Sequence, residues 1–399
     1  MTRHFLILIV WLLGAVSASW AQIKIPLELT TIGTAQRLVI HVGINGSDPL
    51  PYLFDTGSPG FNAIFYDALE TSPSNWTYNS VISSNATVSY GSGGNPLVYT
   101  LNAVTVNAIQ IYHPTGALPP VTLAAPDGSG GYTIGQITDI TGSGVAPFSA
   151  SLAAGNSPLS SGLFGTFGAS LFTGLVTTGS MDYVNSSVLG QSTDSGWAVV
   201  ANAGADPHVI LGLNDQIRSQ FSTAVNWTGT SDYQYPITNA AASTEFGGGG
   251  FRVRLSGDGV SPVTWVNETL LDTGTQDNLI HGNPSLHPDL NDYSTNVNDY
   301  LEAGYEVGVE AVVVDAGEYR FTTTLGDAVV THDVQLELDS ITRSTIGIGF
   351  FLENSVAFDL ENQQTLYTDA TVIIPEPRAA LLILLGLAGL KFRRRVRSA

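Results

Sequence analysis

The chain has 399 residues, of which 43% are hydrophobic and 12% charged, which is enough apolar material for a core divided between two lobes. Its formal net charge of −20 argues against nucleic acid as a partner, because phosphate binding requires a basic surface. It contains no cysteine, so neither disulfide bonds nor cysteine-ligated metal sites can form.

The first 21 residues have the pattern of a secretory signal peptide. Arg3 and His4 precede the apolar run FLILIVWLLGAV, and small residues lie just before Gln22. We therefore expect residues 1–21 to be removed and the rest of the chain to be exported. Residues 22–374 retain 33 of the 34 acidic residues and seven of the 14 basic ones, a net charge of −26 that suits solubility outside the cell.

The first strong β signal ends at an acidic residue. The run RLVIHVGI, an Asn45-Gly46 turn and the run PLPYLF predict a β-hairpin. Its second strand leads directly into Asp55 and the following Thr-Gly-Ser. An ionised side chain beside a core is costly unless something there needs it, so Asp55 is a candidate functional residue. A lone D-T-G can equally be an ordinary turn, so Asp55 needs a partner elsewhere in the chain.

The next two stretches predict a second hairpin and a loop. Residues 86–100, ATVSYGSGGNPLVYT, form two alternating runs around a glycine-rich tip, which is typical of a mobile hairpin. The stretch from Asn95 to Ser161 has Gly-, Ser- and Pro-rich parts, which predict an irregular insertion on the first lobe. Further on, Asp194 is also followed by a hydroxyl residue and glycine, but it comes after polar residues and is interpreted as a turn.

The second half repeats the first hairpin and supplies the partner. FRVRLSGDGVSPVTWVNETLL is again a strand, a glycine-rich turn and a strand, and it delivers Asp272 followed by Thr-Gly-Thr. Two carboxylic acids held face to face cannot both ionise easily, so they share a proton and one acts as base while the other acts as acid. Such a pair can activate a water against a peptide carbonyl without metal, cofactor or covalent intermediate. The residues that follow each acid are predicted to support this pair. Gly57 and Gly274 let backbone amides approach the carboxylates, and Ser58 and Thr275 each place a hydroxyl near an outer carboxylate oxygen. Thr56 and Thr273 can hydrogen-bond across the junction between the two halves.

With these motifs in order, the sequence resembles the pepsin-like aspartic proteases over about residues 36–368. The resemblance implies an all-β, bilobed fold with an active-site cleft between the lobes. In VSYGSGG it identifies the substrate-binding flap, with Tyr90 and Gly91 near its tip. In GLFGTFG and STIGIGF it identifies the segments that pass beside the two acid-bearing loops, and VILGLNDQ is similar to the join between lobes. We therefore predict an N-terminal lobe at 22–213 and a C-terminal lobe at 214–372.

Two functions remain open at this point. Intact D-T-G in both halves favours an aspartic endopeptidase that acts on exported polypeptides. The alternative is a catalytically weak or inactive surface protein of the same fold that binds peptides or extracellular polymer. Asn62 favours this alternative, because many pepsin-like enzymes have tryptophan seven residues after the first catalytic Asp. So does the short stretch between Gln22 and Leu38, which has no room for a long basic prosegment. A purely structural β-rich surface protein would leave the paired motifs unexplained.

The histidines suggest no metal site. His281 and His287 are the closest pair, near Asp289 and Asp292, and they lie in a Pro- and Asn-rich stretch that predicts a loop.

The C-terminus predicts a sorting tail. A Pro-Glu-Pro triplet beginning at Pro375 is followed by an apolar run, Ala379 to Leu390, and then by a cluster of basic residues. The run is shorter than the roughly 20 residues of a stable membrane span, and the basic cluster would stay on the cytoplasmic side. Residues 373–399 resemble a PEP-CTERM signal. This resemblance implies an exosortase-type processing enzyme as partner, transient or anchored contact with the inner membrane, and a final location at the cell surface or outside the cell.

Overall fold

The fold is taken from a computed structural model of the protein. It describes residues 23–32, 35–58, 60–65, 76–90, 97–116, 120–123, 132–141, 162–169, 195–202, 204–226, 231–233, 243–245, 249–257, 259–293, 301, 305–311, 319–322, 334–338, 343–362 and 364–374. The predicted signal peptide, Asp194, the flap residue Gly91 and the tail beyond residue 374 lie outside the described residues. One compact unit, Lys24–Val372, contains the sheets described below.

The described chain is mostly β-strand, as the alternating sequence predicts, and the all-β fold class is confirmed. The strands are β1 Ile23–Pro26, β2 Glu28–Ile32, β3 Ala35–Ile44, β4 Leu50–Asp55, β5 Phe61–Ile64, β6 Ser80–Tyr90, β7 Leu97–Val106, β8 Ile109–Tyr112, β9 Val121–Leu123, β10 Tyr132–Thr141, β11 Gly165–Gly168, β12 Trp197–Val200, β13 His208–Leu211, β14 Thr223–Asn226, β15 Ser231–Tyr233, β16 Ser243–Glu245, β17 Gly249–Gly257, β18 Val260–Leu271, β19 Asn278–Gly282, β20 Tyr305–Ala311, β21 Tyr319–Thr322, β22 Val334–Leu338, β23 Arg343–Ile346, β24 Ser355–Asp359 and β25 Gln364–Thr368. Short helices are α1 Asp215–Arg218 and α2 Ile348–Glu353, with a 3-10 turn at Pro288–Asp292. No helix among the described residues is long and apolar enough to cross a membrane.

A ten-stranded sheet carries the first acidic motif. Its order is β6-β7-β10-β5-β11-β4-β3-β8-β9, with β2 also paired to β3. The predicted β3–β4 hairpin is confirmed, and its turn residues Asn45 and Gly46 have φ of 51° and 82°. Those left-handed angles are what a tight hairpin turn requires, and Asn and Gly adopt them most readily. On its other side β4 pairs in parallel with β11, so the strand that ends at Asp55 lies inside the sheet.

A seven-stranded sheet, in the order β21-β20-β17-β18-β23-β19-β22, carries the second motif in the same way. The predicted β17–β18 hairpin is confirmed, and β18 pairs in parallel with β23 on its other side. A third, six-stranded sheet has the order β1-β13-β12-β24-β25-β14. It combines strands from the start, middle and end of the described chain.

The prediction of an irregular insertion between Asn95 and Ser161 is wrong for much of that stretch. Strands β7 and β10 pair with each other over most of their length, and β10 pairs in parallel with β5. Tyr99 and Tyr132 are fully buried in this part of the sheet. The prediction relied on the glycines and prolines between the strands and gave less weight to the period-two alternation in LVYTLNAVTV and YTIGQITDIT. That alternation is the pattern that the observed strands follow.

Candidate active site

Asp55 is the last residue of β4, and two hydrogen-bond donors from the following turn contact its carboxyl group. The Ser58 hydroxyl donates to Asp55 Oδ2 at 2.5 Å, and the Gly57 amide donates to Asp55 Oδ1 at 2.8 Å. The Asp55 carboxyl group is buried, with 4% of the residue exposed. The three residues after the acid therefore form a tight turn that holds its side chain in one orientation.

Asp272 follows β18 and has the same set of donors. The Thr275 hydroxyl donates to Asp272 Oδ2 at 2.7 Å, and the Gly274 amide donates to Asp272 Oδ1 at 2.7 Å. Asp272 is 8% exposed. Two turns that are 217 residues apart in the chain thus present their carboxyl groups in matching geometry.

The two threonines between acid and glycine join the motifs reciprocally. The Thr56 amide donates to Thr273 Oγ1, and the Thr273 amide donates to Thr56 Oγ1, each at 3.0 Å. Each hydroxyl then donates across the junction at 2.8 Å, from Thr56 to the Leu271 carbonyl and from Thr273 to the Phe54 carbonyl. Both threonines are buried, and these four bonds fix the ends of β4 and β18 to each other.

The two glycines allow the carboxyl groups to approach. A methyl group at Gly57 would lie 2.6 Å from Asp272 Oδ2, and one at Gly274 would lie 2.7 Å from Asp55 Oδ1. Both distances are too short for a carbon against an oxygen. Each glycine therefore leaves room for the acid of the opposite motif rather than for its own.

The Asp55 and Asp272 side chains approach each other, because each carboxyl group lies against the glycine of the opposite motif. Burial raises the pKa of Asp55 well above its ordinary value, and the charge of Asp272 and the hydrogen bond between the two acids raise it further. The bonds from Ser58 and Gly57 act in the opposite direction. A pair of this kind retains one proton at pH values where a free carboxyl group has lost its own.

The segments identified by resemblance lie where they were expected. Phe167 and Gly168 of β11 pair with Phe54 and Asp55, and the Ala169 amide donates to the Asp55 carbonyl at 2.6 Å. In the second half, the Asp272 amide donates to the Ile346 carbonyl at 2.9 Å. These parallel neighbours hold the two acid-bearing turns from behind.

The flap is described only in part. Strands β6 and β7 form the predicted hairpin, with Tyr90 opposite Leu97, but Gly91 and the tip lie outside the described residues. The position of the Tyr90 side chain relative to the acids therefore stays a prediction. Asn62, in β5, is 1% exposed, and its Oδ1 lies against Gly135 of β10.

One cation near the acids was not singled out from the sequence. Arg37, in β3, is 6% exposed, and the charges of Asp272, Asp277 and Asp55 all act on it. The sequence around Arg37 does not indicate that it lies near acidic residues, because two of these acids, Asp272 and Asp277, belong to the other half of the chain.

The two histidines lie in different surroundings, one in a strand and one before the 3-10 turn. His281 ends up in β19, not in a loop as predicted, because it pairs with Glu337 of β22 in a parallel ladder. His287 packs its ring against Trp265 at 6.1 Å. Within the described ranges, no group of three His, Asp or Glu side chains is placed to hold a metal ion.

Comparison with known proteins gives a limited result. No family model and no curated protein matches the chain. Among solved structures, the aspartic proteinase from Irpex lacteus is similar, with 15% identity and a TM-score of 0.49 over 90% of this chain and 99% of that one. A likeness at this level does not transfer the activity of that proteinase to this chain.

Proposed function

We propose that the protein is an aspartic endopeptidase that hydrolyses peptide bonds in polypeptide substrates. The observation that supports the proposal is the close approach of two buried carboxyl groups, Asp55 and Asp272, which are held by matching donors at the ends of equivalent strands. A structural role alone would not call for two acids to be buried side by side, since that arrangement is unfavourable at neutral pH.

The chemistry follows from the single proton that the pair retains. A water between the carboxyl groups gives a proton to the ionised one as its oxygen attacks the peptide carbonyl carbon. The protonated carboxyl group gives its proton to the carbonyl oxygen, which yields a tetrahedral diol. The newly protonated carboxyl group then gives its proton to the leaving nitrogen while the ionised one takes a proton from a diol hydroxyl. The C–N bond breaks, the carbonyl group re-forms, and the pair again holds one proton.

The supporting residues have separate tasks in this scheme. Ser58 and Thr275 stabilise the negative charge that each acid carries in turn, because their hydroxyls already donate to the carboxylates. The reciprocal threonine bonds keep the spacing between the acids constant, which a reaction through one bridging water needs. The β6–β7 hairpin would close over an extended peptide and exclude bulk water.

A second candidate rests on Asn62. This buried amide stands where many pepsin-like enzymes have a tryptophan that supports the flap tyrosine. A protein without that support would bind peptides with little or no hydrolysis. The exported location and the processed tail predicted from the sequence suit either function.

The test is cleavage of an unfolded protein by the full chain across acid pH. We expect fragments to form at acid pH and cleavage to decline as both carboxyl groups ionise. Asp55→Asn and Asp272→Asn should each lower the rate by about a hundredfold or more while the protein stays folded. Asp48→Asn, in the exposed β3–β4 turn, is the matched control and should cleave normally.

Inhibition separates the proposal from a metal-dependent reaction. A peptide mimic with a central hydroxyl should block cleavage, because that hydroxyl takes the place of the bridging water. Near-normal cleavage by either Asn variant, or loss of cleavage on adding a chelator with no effect of the mimic, would contradict the shared-proton mechanism. Peptide binding without any cleavage by the unaltered protein would favour the second candidate.

A further inference from the structure

Arg37 lies on the sheet beside the acid pair. Val39 of β3 pairs with Leu53 of β4 at the end of their ladder, and Arg37 and Asp55 each lie two residues beyond that pair. Side chains alternate along a strand, so Arg37 is on the same face of the sheet as Val39 and Leu53. On the other side of β3, Arg37 pairs with Thr30 of β2.

The β6–β7 hairpin covers this face. Val39 and Leu53 belong to a buried cluster that also contains Tyr99 of β7, and Ala86 and Val88 of β6 pack against it. The position of Arg37, two residues before Val39, is therefore between the core under the hairpin and the acid pair. A peptide held by the hairpin against the acids would pass through this region.

The guanidinium group is buried and incompletely bonded. Arg37 Nη1 donates to the Gln36 carbonyl at 3.1 Å, and Nε has no hydrogen-bond partner. Within the described part of the chain, no ion pair joins Arg37 to a carboxylate. Burial lowers the pKa of Arg37, while the charges of Asp272, Asp277 and Asp55 act in the opposite direction. A buried cation with an unpaired donor is costly, and an anionic ligand would relieve that cost.

We propose that Arg37 is a specificity-determining residue that binds a carboxylate of the substrate, an acidic side chain close to the bond that is cleaved. This inference rests on the proposed endopeptidase function and adds a substrate class to it. The planar fork of arginine matches the two oxygens of a carboxylate better than a single carbonyl oxygen. Because Asp55 and Asp272 share one proton, the pair carries one negative charge instead of two beside the guanidinium group. The carboxylate of a ligand is therefore repelled less by the acids.

The test uses two peptide series that differ only in Glu or Gln at each position flanking the cleaved bond. At one position, kcat/KM for the Glu peptide should exceed that for the Gln peptide by about tenfold once Glu is ionised. The ratio should fall towards one below about pH 4, where Glu takes up its proton. This dependence of the ratio on pH is a readout that a merely structural role of Arg37 would not produce.

Variants locate the effect. Arg37→Met and Arg37→Gln should cleave the Gln peptide and lose the preference for Glu, and Arg37→Lys should keep part of it. Both neutral variants should fold, because each removes a buried guanidinium group whose Nε has no hydrogen-bond partner and whose burial is costly. Lys24→Met removes one exposed positive charge from β1 and should keep the full preference, which controls for net charge.

Failure of this inference and failure of the proposed function give different results. Cleavage of both series with a ratio that is equal in the unaltered protein and in Arg37→Met would overturn the inference alone. If no peptide is cleaved, the proposed function fails, and fluorescence polarisation of the labelled peptides on the full chain decides the role of Arg37. Tighter binding of the Glu peptide that Arg37→Met abolishes would support that role, and equal binding of both peptides would overturn it.

Discussion

At the scale of single residues, Asp55 shows a conflict between stability and chemistry. The carboxyl group is buried against a second acid, and both effects raise its pKa. The folded protein therefore holds a proton that the unfolded chain releases above about pH 4. Between the unfolded and folded pKa values, stability falls as pH rises, because the native state binds more protons than the unfolded state.

We therefore expect Asp55→Asn to stabilise the protein at neutral pH. The amide cannot ionise, so the variant avoids the cost of a second buried charge next to Asp272. The thermal midpoint should rise by about 2 °C or more at pH 7, the shift that roughly 1 kcal/mol produces in a large domain. Thermal unfolding of both proteins at pH 3.5 and pH 7 measures this change.

The pH dependence of that gain is the stricter part of the test. The gain should shrink towards pH 3.5, where Asp55 is mostly protonated in the unfolded chain as well as in the folded one. Asp48→Asn, on the exposed turn, should show no gain that grows with pH. A gain of the same size at both pH values would mean that the acids are not coupled by charge.

At the scale of elements, four hydrogen bonds join the ends of β4 and β18. The bonds between Thr56 and Thr273 connect a ten-stranded sheet to a seven-stranded one at the position of the acids. Both hydroxyls also donate to backbone carbonyls of the opposite strand. A serine at either position could make the same bonds through its hydroxyl, whereas a valine has no hydroxyl and could not.

Thr56→Val and Thr273→Val should each lower the free energy of unfolding by about 1–3 kcal/mol, because each leaves a buried amide and a buried carbonyl unpaired. Urea unfolding followed by tryptophan fluorescence gives this value. Thr138→Val, which removes one exposed hydrogen bond to the Thr100 carbonyl, is the control and should change it little.

The double variant tests whether the two sides of the junction act independently. Thr56→Val removes the bonds to the Thr273 amide and the Leu271 carbonyl, and Thr273→Val removes those to the Thr56 amide and the Phe54 carbonyl, so each single variant breaks a different two of the four bonds. The loss in the double variant should therefore be close to the sum of the two single losses, and a clearly smaller loss would show that one substitution already opens the other side of the junction.

At the scale of the whole molecule, the six-stranded sheet holds distant parts of the chain together. Strand β1 belongs to the same sheet as β24 and β25, although these strands come more than 300 residues later in the chain. Arg218 of α1 adds a salt bridge to Asp359 at the end of β24, with Nε 2.9 Å from Oδ2. The compact unit ends at Val372, so the predicted sorting tail contributes none of the described strands.

We expect the mature protein from its native cells to lack the basic cluster after Leu390. Pro375 and Pro377 favour an extended chain, which a processing enzyme can bind, and the cluster resists export through the membrane. Mass spectrometry of the purified protein measures its C-terminus. A chain that still ends at Ala399 would rule out processing and favour a simple membrane anchor.

The sequence by itself determined the local parts of this protein. Turn residues and period-two alternation specify the β3–β4 and β17–β18 hairpins, and each hairpin carries its acid at the end of the second strand. These features are predictable because the dihedral preferences of Asn-Gly and the alternation of side chains act within a few residues. The similarity between the two halves of the sequence is what predicts that Asp55 and Asp272 act as a pair.

Only the tertiary structure decided what surrounds that pair. The regular strands between residues 95 and 161 form because β7 and β10 find partners elsewhere in the sheet, and His281 becomes part of a strand for the same reason. Arg37 comes close to Asp272 and Asp277, which belong to the other half of the chain. Contacts of this kind depend on strand order and register between distant segments. The sequence of a single strand does not specify which strands lie next to it.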